Sequence, residues 1–172
     1  MIIRKAELQD IPALYDLINR FARHRVMLPR TVDDLRENVW GFTVAEDAGR
    51  VVGCGALKLY SRQLAEIRSL CVAPGLKSHG VGSALVETLL DEAEGHGVKN
   101  IFALTLVPAF FRKCGFRETR REKFPLKMSQ DCARCELASV CTEKTVTLEL
   151  AARRARRPVR VELQPATAVA GN

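Results

Sequence analysis

Apolar and polar positions alternate from Met1 to Ala6, which predicts a short first strand. Asp10-Ile11-Pro12 then opens a helix with proline in its first turn. Leu14, Leu17, Ile18 and Phe21 follow on one helical face, a stripe that reads as core. A second helix is predicted over Val32–Val39 with Thr31 as its N-cap. Phe42–Glu46 and Arg50–Tyr60 read as two strands joined by a hairpin turn at Asp47-Ala48-Gly49. Glu66 opens the next strand, and Ile67–Val72 has the apolar, β-branched content of a buried one, stopped by Pro74 and Gly75. Ala84, Leu85, Leu89, Leu90 and Ala93 recur at helical spacing within Ser83–Glu94. Asn100–Leu106 reads as a further buried strand, and Phe110–Phe116 as a short helix ending at Gly-Phe. No internal repeat is present.

Composition narrows this pattern without redirecting it. The 172 residues are 47% hydrophobic and 27% charged, the balance of one globular domain with a real core. No apolar run approaches the roughly 18 residues of a spanning helix. No leader-like segment precedes Ile2-Ile3-Arg4, so a cytoplasmic protein without membrane contact is expected. Six cysteines with no export signal suggest a reducing compartment and free thiols or metal instead of a disulfide framework. The net charge is +7, and residues 151–172 carry Arg153, Arg154, Arg156, Arg157 and Arg160 against Glu162. That places +4 in the tail and leaves +3 for the body. With no aromatic interleaving beside the arginines, a nucleic-acid partner is disfavoured. The expected organisation is a domain over 1–150, with a cysteine-containing insertion at about 127–142, and a basic, mobile tail over 151–172.

Between strand and helix lies Lys77-Ser78-His79-Gly80-Val81-Gly82. Two glycines allow close backbone approach, and the following helix opens with unpaired N–H groups, so the segment is a candidate phosphate site. It lacks the third glycine of a dinucleotide fingerprint and the Gly-Lys-Ser/Thr of a P-loop. A cation followed by x-x-G-x-G resembles the pyrophosphate loop of the GCN5-related N-acetyltransferases (GNAT), which in that family holds acetyl-coenzyme A. Asn100–Leu106 and Phe110-Phe111-Arg112-Lys113-Cys114-Gly115-Phe116 resemble the family's later elements in the same order. The resemblance implies an α/β fold with a mixed central sheet, splayed at the acetyl-CoA site and flanked by helices on both faces. Within the family, Leu28-Pro29-Arg30-Thr31 resembles a Leu-x-Arg-Ser/Thr loop of the N-acetylglutamate synthases of arginine biosynthesis. Ala65–Val72, Leu104-Thr105 and Phe110-Phe111 are similar to those enzymes as well. Phe111 stands where many acetyltransferases carry a tyrosine that protonates the departing thiolate, a hydroxyl the synthases commonly lack. The likeness covers roughly residues 1–150 with no amino-acid kinase domain in front, which implies a short, stand-alone form.

Acetyl transfer to an amine needs a neutral nucleophile, a polarised thioester carbonyl and a route for the amine proton. The resemblance assigns the carbonyl to backbone N–H groups of Leu70, Cys71 and Val72. It assigns the coenzyme to Lys77, Ser78, His79, Gly80, Val81, Gly82 and Ser83, together with Thr105 and Phe111. Glu66 is the candidate base, the alternative being a strand-edge carboxylate or a partner for Arg68. Glu66 and Arg68 lie two apart on a strand and share a face. Arg68 and Arg30 could each clamp a carboxylate through a bidentate fork, matching a dicarboxylic amino acid. The alternative for Arg30 is a surface charge on a loop. Larger synthases carry an Arg and a Ser just before their last strand, whereas here only Lys144 could supply a cation. Cys132, Cys135 and Cys141 form C-x2-C-x5-C, part of a zinc site if Cys114 comes close, and otherwise simply reduced thiols. The insertion is expected to replace the family's usual hairpin and to shape the acceptor pocket; Cys54 and Cys71 read as core residues. The expected activity is acetyl-CoA-dependent acetylation of the α-amino group of L-glutamate. The alternatives are another amino acid, a small amine or a protein N-terminus as acceptor, or an acetyl-CoA-binding regulatory module without catalysis. A homodimer is expected by analogy alone.

Overall fold

Ala48 and Gly49 both take positive φ, 48° and 74°, as a two-residue hairpin turn requires. The turn joins β2 (Phe42–Asp47) to β3 (Arg50–Ser61), and β1 (Ile2–Lys5) pairs with the outer edge of β2. The computed structural model describes residues 1–76, 79–151 and 153. Four further strands, β4 (Leu64–Val72), β5 (Asn100–Thr105), β6 (Arg117–Thr119) and β7 (Lys144–Glu149), complete one sheet in the order β1-β2-β3-β4-β5-β7-β6. β6 is three residues long and carries no periodicity to betray it. The mixed α/β sheet matches the expected fold class.

Helices cover both faces. On one, α1 (Ile11–Ala22) and α2 (Val32–Asn38) bury Leu14, Leu17, Ile18 and Leu35 against Phe42, Cys54 and Cys71. The Thr31 hydroxyl caps α2 by accepting the Asp34 N–H at 3.1 Å. On the other face, α3 (Val81–Gly95) and α4 (Pro108–Lys113) pack Leu89, Leu90 and Phe111 on Leu57, Ile67 and Ile101. α3 begins at Val81, two residues earlier than its apolar spacing suggests, because Gly80 takes φ 79° and serves as the N-cap.

Two irregularities in β4 position the site. Its parallel ladder with β5 runs only from Leu64–Asn100 to Glu66–Phe102, after which the strands part. The β5-facing edge of Ile67–Val72 is thereby left without a strand partner. On its other edge, Cys54 pairs with Cys71 and Ala56 with Arg68, so Ser69 and Leu70 together oppose Gly55. Ser69 takes φ 53°, a bulge held open by left-handed backbone. A Cβ on Gly55 would come within 2.9 Å of Leu89 and 3.0 Å of Leu70, so glycine lets the bulge nest under α3.

The insertion lies inside a hairpin and does not replace one, since β6 and β7 still pair on either side of it. It forms α5 (Pro125–Gln130) and two tight turns, at Cys132–Arg134 and Ala138–Val140. The tail does not detach at residue 151. Arg153 is 8% exposed and reaches Glu87, Asp91 and Glu94 of α3 at 2.6, 2.7 and 2.7 Å. Glu87, Asp91 and Glu94 share one helical face, a docking place invisible to composition. The rest of the expected mobile tail, 154–172, lies outside the described residues. Among the described residues no helix is long and apolar enough to cross a membrane.

Candidate active site

Lys58 and Tyr60 on β3 and Glu66 and Arg68 on β4 share the α1–α2 face, because Lys58 pairs with Glu66 and Ala56 with Arg68. Glu66 is only 2% exposed. Its carboxylate meets Lys127 Nζ of α5 at 2.8 Å and the Tyr60 hydroxyl at 2.9 Å. The partner is therefore a lysine from the insertion and not Arg68. Asp131, just past α5, accepts from Lys58 at 2.8 Å, from Lys127 at 3.2 Å and from the Tyr60 hydroxyl. Burial alone would lower the Lys127 pKa, but the Glu66 and Asp131 carboxylates outweigh it and hold the ammonium above its ordinary value. Burial and then the Glu66 charge push the Tyr60 hydroxyl far above its usual value, so it keeps its proton.

Arg30 approaches from the loop between α1 and α2. Asn19, buried on α1, grips that loop by donating to the Arg30 carbonyl at 2.9 Å and accepting the Arg30 N–H at 3.1 Å. The guanidinium donates to the Ser69 hydroxyl of the bulge at 3.2 Å and to Asp34 at 2.9 Å. Arg30 and Arg68 come close enough that, after burial itself, the Arg30 charge is the main cause lowering the Arg68 pKa. Arg68 Nε is buried without a hydrogen-bond partner. A buried donor without a partner is costly, and a second guanidinium beside it adds to the local positive charge. A cavity of about 400 Å³ opens there, lined by Trp40, Phe42, Lys58, Leu59 and Arg68 among others.

The described residues among those expected to hold the coenzyme lie at the start of α3 and along the gap between β4 and β5. Val81, Gly82 and Ser83 form the first turn of α3, where N–H groups and the helix dipole favour an anion. Gly82 is needed for packing, since a Cβ there would meet the Phe110 ring at 3.3 Å. His79 and Gly80 are exposed in front of that turn, whereas Lys77 and Ser78 lie outside the described residues. Leu70 and Val72 pack toward α3, while the Cys71 side chain turns to Cys54 in the α1 core. Thr105 is buried at the end of β5, its hydroxyl accepting the Val107 N–H at 3.0 Å, and pairs across the sheet with exposed Lys144. Phe111 is 4% exposed and packed edge-on between Phe110 and Phe116, so its ring is a core element and Phe110 is the ring against Gly82.

The thiols do not fit a metal. Among the described residues no three Cys, His, Asp or Glu side chains converge as ligands. Cys141 instead accepts from the Arg121 guanidinium at 3.6 Å, and Cys114 lies against Ser83 at the start of α3. What the insertion brings to the site is Lys127 and Asp131. Neither they nor Tyr60, Lys58 and Asn19 stand out in the sequence, where each resembles an ordinary surface polar residue.

The sheet thus carries an open strand gap beside a helix N-terminus on one side, and a buried carboxylate with two guanidiniums on the other. Residues 9–116 match the Acetyltransferase (GNAT) family, and the chain belongs to that family. It is an acetyl-CoA-dependent acetyltransferase. An uncharacterized N-acetyltransferase of Chlorobaculum tepidum is 37% identical over 141 residues, which span 82% of this chain and 91% of that relative. An amino-acid acetyltransferase of Mycobacterium tuberculosis is 38% identical over 120 residues, 68% of each chain. The N-acetylglutamate synthase of Neisseria gonorrhoeae, solved with coenzyme A and N-acetyl-glutamate, matches with a TM-score of 0.79 at 26% identity. That match covers 87% of this chain and 35% of the longer synthase.

Proposed function

We propose that this enzyme acetylates the α-amino group of an amino acid, and that the amino acid is L-glutamate. The observation that carries the reading is the pairing of Arg30 with Arg68, two guanidiniums from separate elements with a buried Nε left unpartnered. A dicarboxylic amino acid carries two groups of the matching charge. The names and bound ligands of the synthase relatives support the same acceptor, with a role in arginine biosynthesis following from it.

In this reading bound acetyl-CoA supplies the activated acetyl carbonyl. The first turn of α3 binds the pyrophosphate, and the unpaired edge of Leu70–Val72 presents N–H groups to the carbonyl oxygen. Arg30 and Arg68 orient the acceptor by its carboxylates, Lys144 adds positive charge across the gap, and Glu66 takes the amine proton. The test is thiol release from acetyl-CoA with each of the twenty amino acids. A clear preference for glutamate is expected, and Arg30→Ala should raise the glutamate KM at least tenfold while leaving the acetyl-CoA KM within about twofold. Preference for an apolar or basic amino acid would overturn the acceptor assignment.

A further inference from the structure

We propose that Tyr60 and Asp131 form a proton exit from Glu66, carrying the acceptor's amine proton from the buried site to solvent. The inference rests on the reading of Glu66 as base. Glu66 is 2% exposed, whereas the Asp131 side chain is 28% exposed. A base so enclosed needs a second group to pass its proton on.

Tyr60 is built into that position. Its hydroxyl lies 2.9 Å from Glu66 Oε2 and is also hydrogen-bonded to Asp131 Oδ2. A hydroxyl has one hydrogen and two lone pairs, whereas an ionised carboxylate can only accept. Tyr60 therefore cannot donate to both carboxylates at once. Both carboxylates bond Lys127 and Asp131 also bonds Lys58, so once Glu66 gains a proton the Tyr60 hydrogen belongs with ionised Asp131 and an oxygen lone pair turns to Glu66. The Glu66–Tyr60 contact becomes a donated bond when Glu66 gains a proton.

The transfer then balances. At pH 7 the acceptor arrives as an ammonium and gives one proton to Glu66. The freed nitrogen forms its bond to the acetyl carbon, the carbon–sulfur bond breaks, and the coenzyme thiolate takes the second proton that the nitrogen sheds. Glu66 Oε2–H donates to the Tyr60 oxygen, the Tyr60 hydrogen moves to Asp131, and Asp131 releases it to water; the charges of all three are then restored, and the Tyr60 hydroxyl turns back to Asp131 before the next turnover. The charged and titratable groups around the path are Lys58 on β3, Arg68 on β4, Lys127 on α5 and Cys132 beyond it. The remaining wall is aromatic, with Phe102 5.7 Å from the Tyr60 ring and stacked on Phe124 at 4.1 Å.

Tyr60→Phe keeps the ring and removes the relay, and it is to be assayed in the full chain with the amino acid that the panel selects. At pH 7 its kcat is expected to fall tenfold or more, with both KM values within about twofold. The defect should shrink as pH rises, because the acceptor amine then arrives already deprotonated. A pH–rate profile superimposable on the wild type would overturn the relay. Asp131→Asn should show the same profile, and the double variant should be no slower than the slower single one. Losses that multiply would mean that the two do not act in series. Glu66→Gln separates the two ideas: wild-type turnover there removes the base and the relay together. Collapse of Glu66→Gln beside an unaffected Tyr60→Phe removes the relay alone.

Discussion

Asp131 shows how a residue from a loop insertion becomes part of a site. Burial would raise its pKa, but hydrogen bonds from Lys58 and Tyr60 and the Lys127 charge prevail and hold the carboxyl well below its usual 3.8. A group with a depressed folded pKa stabilises the fold above its unfolded value and loses that contribution as pH falls through the folded one. Asp131→Asn is therefore expected to cost about 1–3 kcal/mol at pH 7, and the difference from wild type should shrink as pH drops below 4. Urea unfolding at pH 7 and pH 3 measures it, and an undiminished difference at pH 3 would mean that charge is not the source. Asn19 acts at one remove, through the backbone of Arg30. Asn19→Ala should raise the acceptor KM while leaving that for acetyl-CoA unchanged, a split that simple loss of helix stability would not produce.

At the scale of elements, β4 carries the site because it is irregular. It leaves β5 after Glu66, and its bulge at Ser69 turns that hydroxyl toward Arg30. Gly55 across from the bulge is the condition for this arrangement, since Leu89 is fully buried and has nowhere to retreat. Gly55→Val should cost about 1–3 kcal/mol by overpacking and weaken coenzyme binding as the bulge shifts. Gly75→Ala, whose added Cβ meets nothing within 4 Å, is the control and should change neither. Calorimetric unfolding and coenzyme A titration of both variants check the pair.

The whole molecule closes through Arg153. One guanidinium, 8% exposed, bridges Glu87, Asp91 and Glu94 and lowers the repulsion among three carboxylates on a single face of α3. α3 also presents the N-terminus proposed to bind the coenzyme pyrophosphate, so this contact braces the same helix from its far side. Arg153→Ala should lower stability by about 1–3 kcal/mol. That corresponds to several degrees in Tm for a chain of this size, with a smaller effect at high salt. Equal melting temperatures for variant and wild type would make the three-carboxylate contact a surface ornament.

The elements were legible from local pattern: the Leu14–Phe21 stripe, the Asp47-Ala48-Gly49 turn and the apolar strand at Ile67 each follow from the spacing of a few neighbouring residues. So was the acetyltransferase family, because its motifs are short local stretches such as Lys77–Gly82, although the Phe110 ring that packs on Gly82 lies far along the chain. Arg30, Glu66 and Arg68 could be named as candidates from motif likeness. Which of them meet, and through what, belonged to the fold. Lys127 pairs with Glu66 across 61 positions and Tyr60 with Asp131 across 71, separations over which no periodicity survives. The thiol cluster drew attention by its spacing, yet the insertion's contribution to the site is a lysine and an aspartate of unremarkable context. Spacing reports what a chain segment does to itself; which distant polar side chains share one buried face is decided only when the sheet is assembled.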